Sequence, residues 1–202
     1  HGDWQKAAAL KLSPSSLAWN KFPQAEAILV YARGLGAARS GMSEAASRDL
    51  KRLQELKEVM TAAKNNYWAG QADFQIKSLN AWIDYHEKRH DEALRLMREA
   101  AEAEEASDKH PVTPGNVVPS RELLAEMLMA LGQPGLALTE YERSLKRDPN
   151  RFRAIYGAAR AAEAADKMDL ARDNFGKLRQ LTKNRDSVRD ELTYAERFLT
   201  QQ

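Results

Sequence analysis

Cysteine is missing from this chain of 202 residues, which excludes disulfides, thiolate nucleophiles and cysteine metal sites and leaves the redox compartment unread. Histidine is scarce, with four copies, and no hydroxyl or acid stands beside a base in a pattern that reads as catalytic. No enzyme activity, cofactor or metal is therefore expected. Glycine (10) and proline (7) are few, so little interrupts a chain dominated by alanine, glutamate, leucine, lysine and arginine, and helix is favoured throughout. Charge of one sign is lacking too. Thirty-one basic residues against 29 acidic ones leave +2, a balance that gives no reason to expect nucleic-acid binding, which usually rests on a concentrated basic surface. No apolar run approaches the ~20 residues that span a bilayer, so no membrane insertion is expected.

What the chain does have is a period. Leu124 and Ala158, Ala137 and Ala171, and Tyr141 and Phe175 are each 34 residues apart. A small residue and an aromatic recurring at that distance mark a repeated helix–turn–helix unit. The small side chains let two helices cross closely, the aromatic fills the gap one turn later, and Pro149 stops the second helix of one unit before the next begins. Over residues 118–185 this pattern resembles the tetratricopeptide repeat, and more loosely upstream. The chain is also similar to bacterial multi-repeat members of that family, a similarity that carries no activity. The resemblance implies an all-α fold, a right-handed superhelical stack of antiparallel helix hairpins.

The pattern divides the chain into one domain. Residues 1–22 read as the second helix of an incomplete repeat plus a linker, because Gly2-Asp3-Trp4, with Ala7 three places on, fits the turn between the two helices of a hairpin. The alternative is an N-terminal capping helix. The spacing predicts a short helix over Trp4–Leu12. A repeat over 23–64 follows, with Pro23 at its first helical position, Gly34 and Ala46 at the close-packing places and Ser43 as a helix cap. Residues 65–107 form a divergent repeat whose turn lacks glycine, residues 108–117 a proline-rich extended loop, 118–151 and 152–185 two regular repeats, and 186–202 a capping helix. The loop around His110–Gly115 reads as a spacer rather than a recognition loop.

Three motifs invite chemistry and fail on context. His86-Glu87-Lys88-Arg89-His90 matches the zinc-protease signature, which needs both imidazoles on one face of one helix. The repeat frame instead ends a helix at His86 and puts His90 in a turn. Gly34-Leu35-Gly36-Ala37-Ala38-Arg39 imitates a dinucleotide fingerprint, but Arg39 stands where a third glycine belongs and no strand pattern follows. Glu104-Glu105 is expected on a solvated charged face, and Ser120 and Ser187 at helix starts as caps.

By resemblance, the first helix of each repeat lines a concave face that binds a peptide or helix of another protein. The residues carried onto that face are Arg153, Tyr156 and Arg160 in the last repeat and Glu122, Glu126 and Met129 in the one before. Arg153 and Arg160 flanking Tyr156 would suit an acidic peptide. The same guanidinium groups would be structural if they packed on the terminal helix near Asp190 or Glu191. The clamp of the family that grips chaperone tails is not supported, since its lysine and asparagine places hold other residues. The function expected is a non-catalytic protein–protein interaction scaffold. The alternatives are a regulatory or assembly domain of a larger protein whose active part lies upstream of residue 1, and self-association through the face of Trp4–Leu10.

Overall fold

The computed structural model describes residues 2–107, 116–183 and 189–200. Every regular element among the described residues is helical, so the fold is all-α. Ten α-helices follow one another: α1 Trp4–Ala8, α2 Pro23–Arg39, α3 Ser43–Ala62, α4 Asn66–His86, α5 His90–Ala106, α6 Ser120–Ala130, α7 Pro134–Arg147, α8 Phe152–Ala164, α9 Met168–Leu181 and α10 Asp190–Thr200. One turn of 3₁₀ helix, Trp19–Lys21, lies between the first two. None of the described helices is long and apolar enough to cross a membrane. The chain forms two compact units, His1–Ser120 and Arg121–Gln202.

Five of the turns are built alike. Each has three residues, with the middle one in the left-handed region: Gly41 (φ +75°), Lys64 (+56°), Lys88 (+66°), Gly132 (+70°) and Asp166 (+57°). In each, the third residue's N–H reaches back 2.9 Å to a carbonyl five residues earlier, as from Met42 to Ala37, Arg89 to Asp84 and Lys167 to Ala162. This satisfies carbonyls that a helix end otherwise leaves unpaired. The divergent hairpin thus makes its turn without glycine because Lys88 accepts the left-handed conformation, at a cost glycine would avoid.

In the first unit, α1 packs on α2, α2 on α3 and α4, α3 on α4, and α4 on α5. Glycines set the close crossings. A Cβ added at Gly36 would lie 2.5 Å from the Ala8 nitrogen and 2.6 Å from the Trp4 carbonyl oxygen, so the backbone of α1 rests on α2 there. At Gly34 it would meet Leu79 of α4 and Asp49 of α3. Helix packing, not a phosphate, accounts for both. Arginine–carboxylate forks tie α2 to α3: Arg33 to Asp49 (Nη2–Oδ1 2.6 Å, Nε–Oδ2 2.9 Å) and Arg52 to Glu26 (2.7 and 3.1 Å), with both acids buried. At the end of α2, the Arg39 guanidinium lies between the Trp4 ring (4.7 Å) and the Trp82 ring (3.8 Å), joining α1, α2 and α4.

In the second unit, α7 packs on α8, α8 on α9 and α9 on α10. All six residues of the 34-residue pattern are buried, and the register continues into α10: Leu192, 34 residues after Ala158, is buried as well. Gly157 admits the Tyr141 ring, with the site of a missing Cβ only 2.3 Å from Cζ.

Several sequence expectations are corrected. The first helix ends at Ala8 rather than Leu12, and α3 begins at Ser43 itself, after Met42, with no side-chain cap. Glu104 is not on a solvated face. It is 7% exposed and accepts hydrogen bonds from Ser120 N–H (2.8 Å), Ser120 Oγ (2.6 Å) and Asn116 Nδ2 (2.5 Å), while the Ser78 hydroxyl lies 3.1 Å from that of Ser120. Ser120 therefore starts α6 against a buried carboxylate, a negative charge at a helix N-terminus where the dipole favours it. Ser187 and residues 108–115 of the expected loop lie outside the described residues.

Candidate binding surface

The charged stripe expected on the first helix of each repeat falls in the second unit, and its members differ sharply in accessibility. Glu122 is 0% exposed: Arg151 pairs with it (Nη2–Oε2 3.4 Å) and the Ser144 hydroxyl stands 3.4 Å away. Burial pushes the Glu122 carboxyl above its ordinary value, against the opposing pull of Arg151. A side chain so enclosed holds α6, α7 and the start of α8 together and offers nothing to a ligand. Glu126, one turn on, accepts from Arg153 Nη2 at 2.5 Å, bridging α6 and α8. Met129 lies half-buried a further turn along α6.

On α8, the Tyr156 ring packs edge-on against Phe175 of α9 (6.2 Å) and Tyr194 of α10 (6.4 Å). Arg160, one turn later, is 39% exposed and lies with its guanidinium carbon 4.1 Å from the Tyr194 ring centre. Its Nε approaches Glu163 Oε2 at 3.1 Å, an ion pair out of line with the N–H. The Tyr194 hydroxyl donates to the other oxygen of Glu163 at 2.7 Å, and that bond, with some burial, raises the phenol above its ordinary value. Arg160 does meet the terminal helix, then, but through Tyr194 rather than Asp190 or Glu191.

The structure brings together Glu126, Arg153, Tyr156 and Arg160 in one strip across α6, α8 and α10, and withdraws Glu122 from it. Tyr194 is the member that sequence reasoning missed. Its signal was present, because Tyr194 stands 34 residues after Arg160, in the same place of the repeat.

The zinc-protease match dissolves in three dimensions. His86 ends α4 and His90 begins α5, with the left-handed Lys88 between, so the imidazoles do not share a helix. Tyr85 packs edge-on to His86 and stacked on His90, each at 5.4 Å. Burial first, then the positive charges of Arg39 and Lys88, push His86 below its ordinary value. Among the described residues no three histidine, aspartate or glutamate side chains converge as metal ligands would.

Comparison with protein-family models, curated proteins and solved structures returned no match.

Proposed function

We propose that the chain is a non-catalytic protein–protein interaction scaffold of tetratricopeptide kind, each unit a right-handed stack of antiparallel hairpins, and that it binds a peptide or helix across α6, α8 and α10. The recurrence of buried Leu124, Ala158 and Leu192 at one spacing supports the repeat reading. The observation that carries the binding reading is Arg160. Its guanidinium lies over the Tyr194 ring and beside Glu163, yet 39% of the side chain remains exposed and no described residue accepts from its Nη groups. A pre-oriented arginine fork on an aromatic surface loses little conformational freedom on meeting a carboxylate, and such Arg/Tyr anchors carry much of the energy at interfaces. Arg153, already bonded to Glu126, supports the strip and is less available than Arg160.

The test is a selection from a displayed peptide library enriched in acidic residues, with the selected peptides measured by calorimetry. Arg160→Glu should weaken them more than tenfold. Because it also takes the guanidinium off Tyr194 and sets a second carboxylate beside Glu163, it should lower the melting temperature by a few degrees, and binding is measured well below the variant's own transition. Equal binding by parent and variant refutes the reading.

A further inference from the structure

The first unit holds a cavity of about 550 Å³ between the end of α3, the first turns of α4 and the end of α5, within the size range of ligand sites. Its lining has a distinct division of chemistry. Phe74, Ala69 and Ala103 supply apolar surface, and the Tyr67 ring, set edge-on to Trp68 at 5.3 Å, forms a wall. Gly70 leaves the space over the second turn of α4 open, since a Cβ built there meets nothing within 4 Å.

Gln71 is the telling residue. Its side chain lines the cavity and the residue is only 8% exposed, yet its amide makes no hydrogen bond to another described residue. With no protein partner and neither amide atom fully shut off from solvent, Gln71 takes its hydrogen bonds from water in the cavity, which the polar groups of a ligand would displace. An amide also offers a donor and an acceptor side by side, the complement of a peptide group. At one rim Lys57 pairs with Asp73, and Lys77 reaches the same carboxylate at 3.2 Å from the next turn, so two cations share one anion and the rim keeps a positive excess.

We propose that this cavity is a second binding site, which takes an extended peptide segment of a partner carrying an aromatic side chain next to an acidic one. The ring occupies the apolar floor over Gly70, the peptide group adjoining it pairs with Gln71, and the acidic side chain meets the lysine rim. This site is distinct from the arginine strip of the second unit and stands or falls without it.

The probe is the blocked dipeptide acetyl-Asp-Phe-amide, titrated into the full chain and followed by amide NMR. Saturable shifts are expected at the Gly70 N–H and the Gln71 side-chain amide. Replacing the probe's Phe by Ala should weaken binding at least tenfold, and replacing its Asp by Asn about two- to fivefold, as for a solvent-exposed charge pair. Gly70→Leu fills the cavity without a backbone clash, so it should abolish the shifts while helix content is retained. Gln71→Leu should weaken binding several-fold. The proposal is overturned if no saturable shift appears by about 10 mM probe, if Gly70→Leu binds like the parent, or if the Ala- or Asn-containing probe binds as well as the original.

Discussion

Replacing Gly157 by alanine puts the packing of the second unit to a direct test. The added methyl carbon would sit 2.3 Å from Cζ, 2.4 Å from Cε1 and 2.7 Å from the hydroxyl oxygen of Tyr141. Carbon atoms in comfortable contact are 3.5–4.0 Å apart, so the ring must retreat by more than about 1 Å. It has little room to do so, being 5% exposed and packed between helices. Overpacking of this kind costs about 1–3 kcal/mol, and the helix propensity of alanine returns about 1 kcal/mol. The net expectation is a loss of about 0–2 kcal/mol. Gly176, in the interior of α9, is the control: a Cβ there meets nothing within 4 Å, so Gly176→Ala should stabilise by up to about 1 kcal/mol. For a chain of this size each kcal/mol moves the melting temperature by about 2–4 °C. The two alanine variants should therefore part in the calorimetric transition, Gly157→Ala melting below Gly176→Ala. In a Tyr141→Leu background, where the ring is gone, the cost of Gly157→Ala should disappear, a non-additivity that a double-mutant cycle reads directly. A Gly157→Ala protein melting above the parent would show that α8 and Tyr141 do not meet as described.

Lys88→Gly and Asp166→Gly should each raise the urea midpoint, by about 1 kcal/mol in stability, because both positions are left-handed; unchanged midpoints would mean the turns are built otherwise. Arg151→Met strips the buried Glu122 of its cation and should cost about 2–3 kcal/mol at pH 7. Because the folded-state value of Glu122 is raised, the stabilisation linked to its proton is present below its ordinary value and lost as pH rises through the folded one. The Arg151→Met penalty should accordingly shrink on going from pH 7 to pH 5, and equal penalties at the two pH values in urea titrations would contradict the assigned burial. Gly36→Ala sets a methyl against the backbone of α1, which cannot yield as a side chain can, so α1 should detach. Limited trypsin digestion should then cut at Lys6 or Lys11 well before the rest of the chain, and a cleavage rate equal to the parent's would place α1 elsewhere.

Local pattern was enough to find the helices and their register. Ala137, Ala171, Tyr141 and Phe175 are legible because a close helix crossing tolerates only small or shape-matched side chains at fixed offsets, and such a constraint leaves a period in the chain. The turn glycines Gly41 and Gly132 are legible for the same reason, being set by backbone conformation within a few residues. Where the requirement is local but weak, the signal fades: Lys88 takes the left-handed turn at a cost of about 1 kcal/mol that packing overrides and its identity does not announce it, whereas Asp166 is marked by standing 34 residues after Gly132. Partnership over long distances was not legible at all. Glu104 and Glu122 look like solvated acids in the sequence, yet both are buried, because cations and hydrogen-bond donors 12 to 29 residues away arrive to satisfy them. Arg39 gives no hint that two tryptophans, Trp4 and Trp82, will enclose it. Composition and periodicity determined that this protein is a series of helical hairpins, since those follow from contacts a few residues apart. Which charges are buried, which arginine keeps an open edge and where a cavity remains were decided only by tertiary packing, because each depends on side chains that the chain brings together from separate helices.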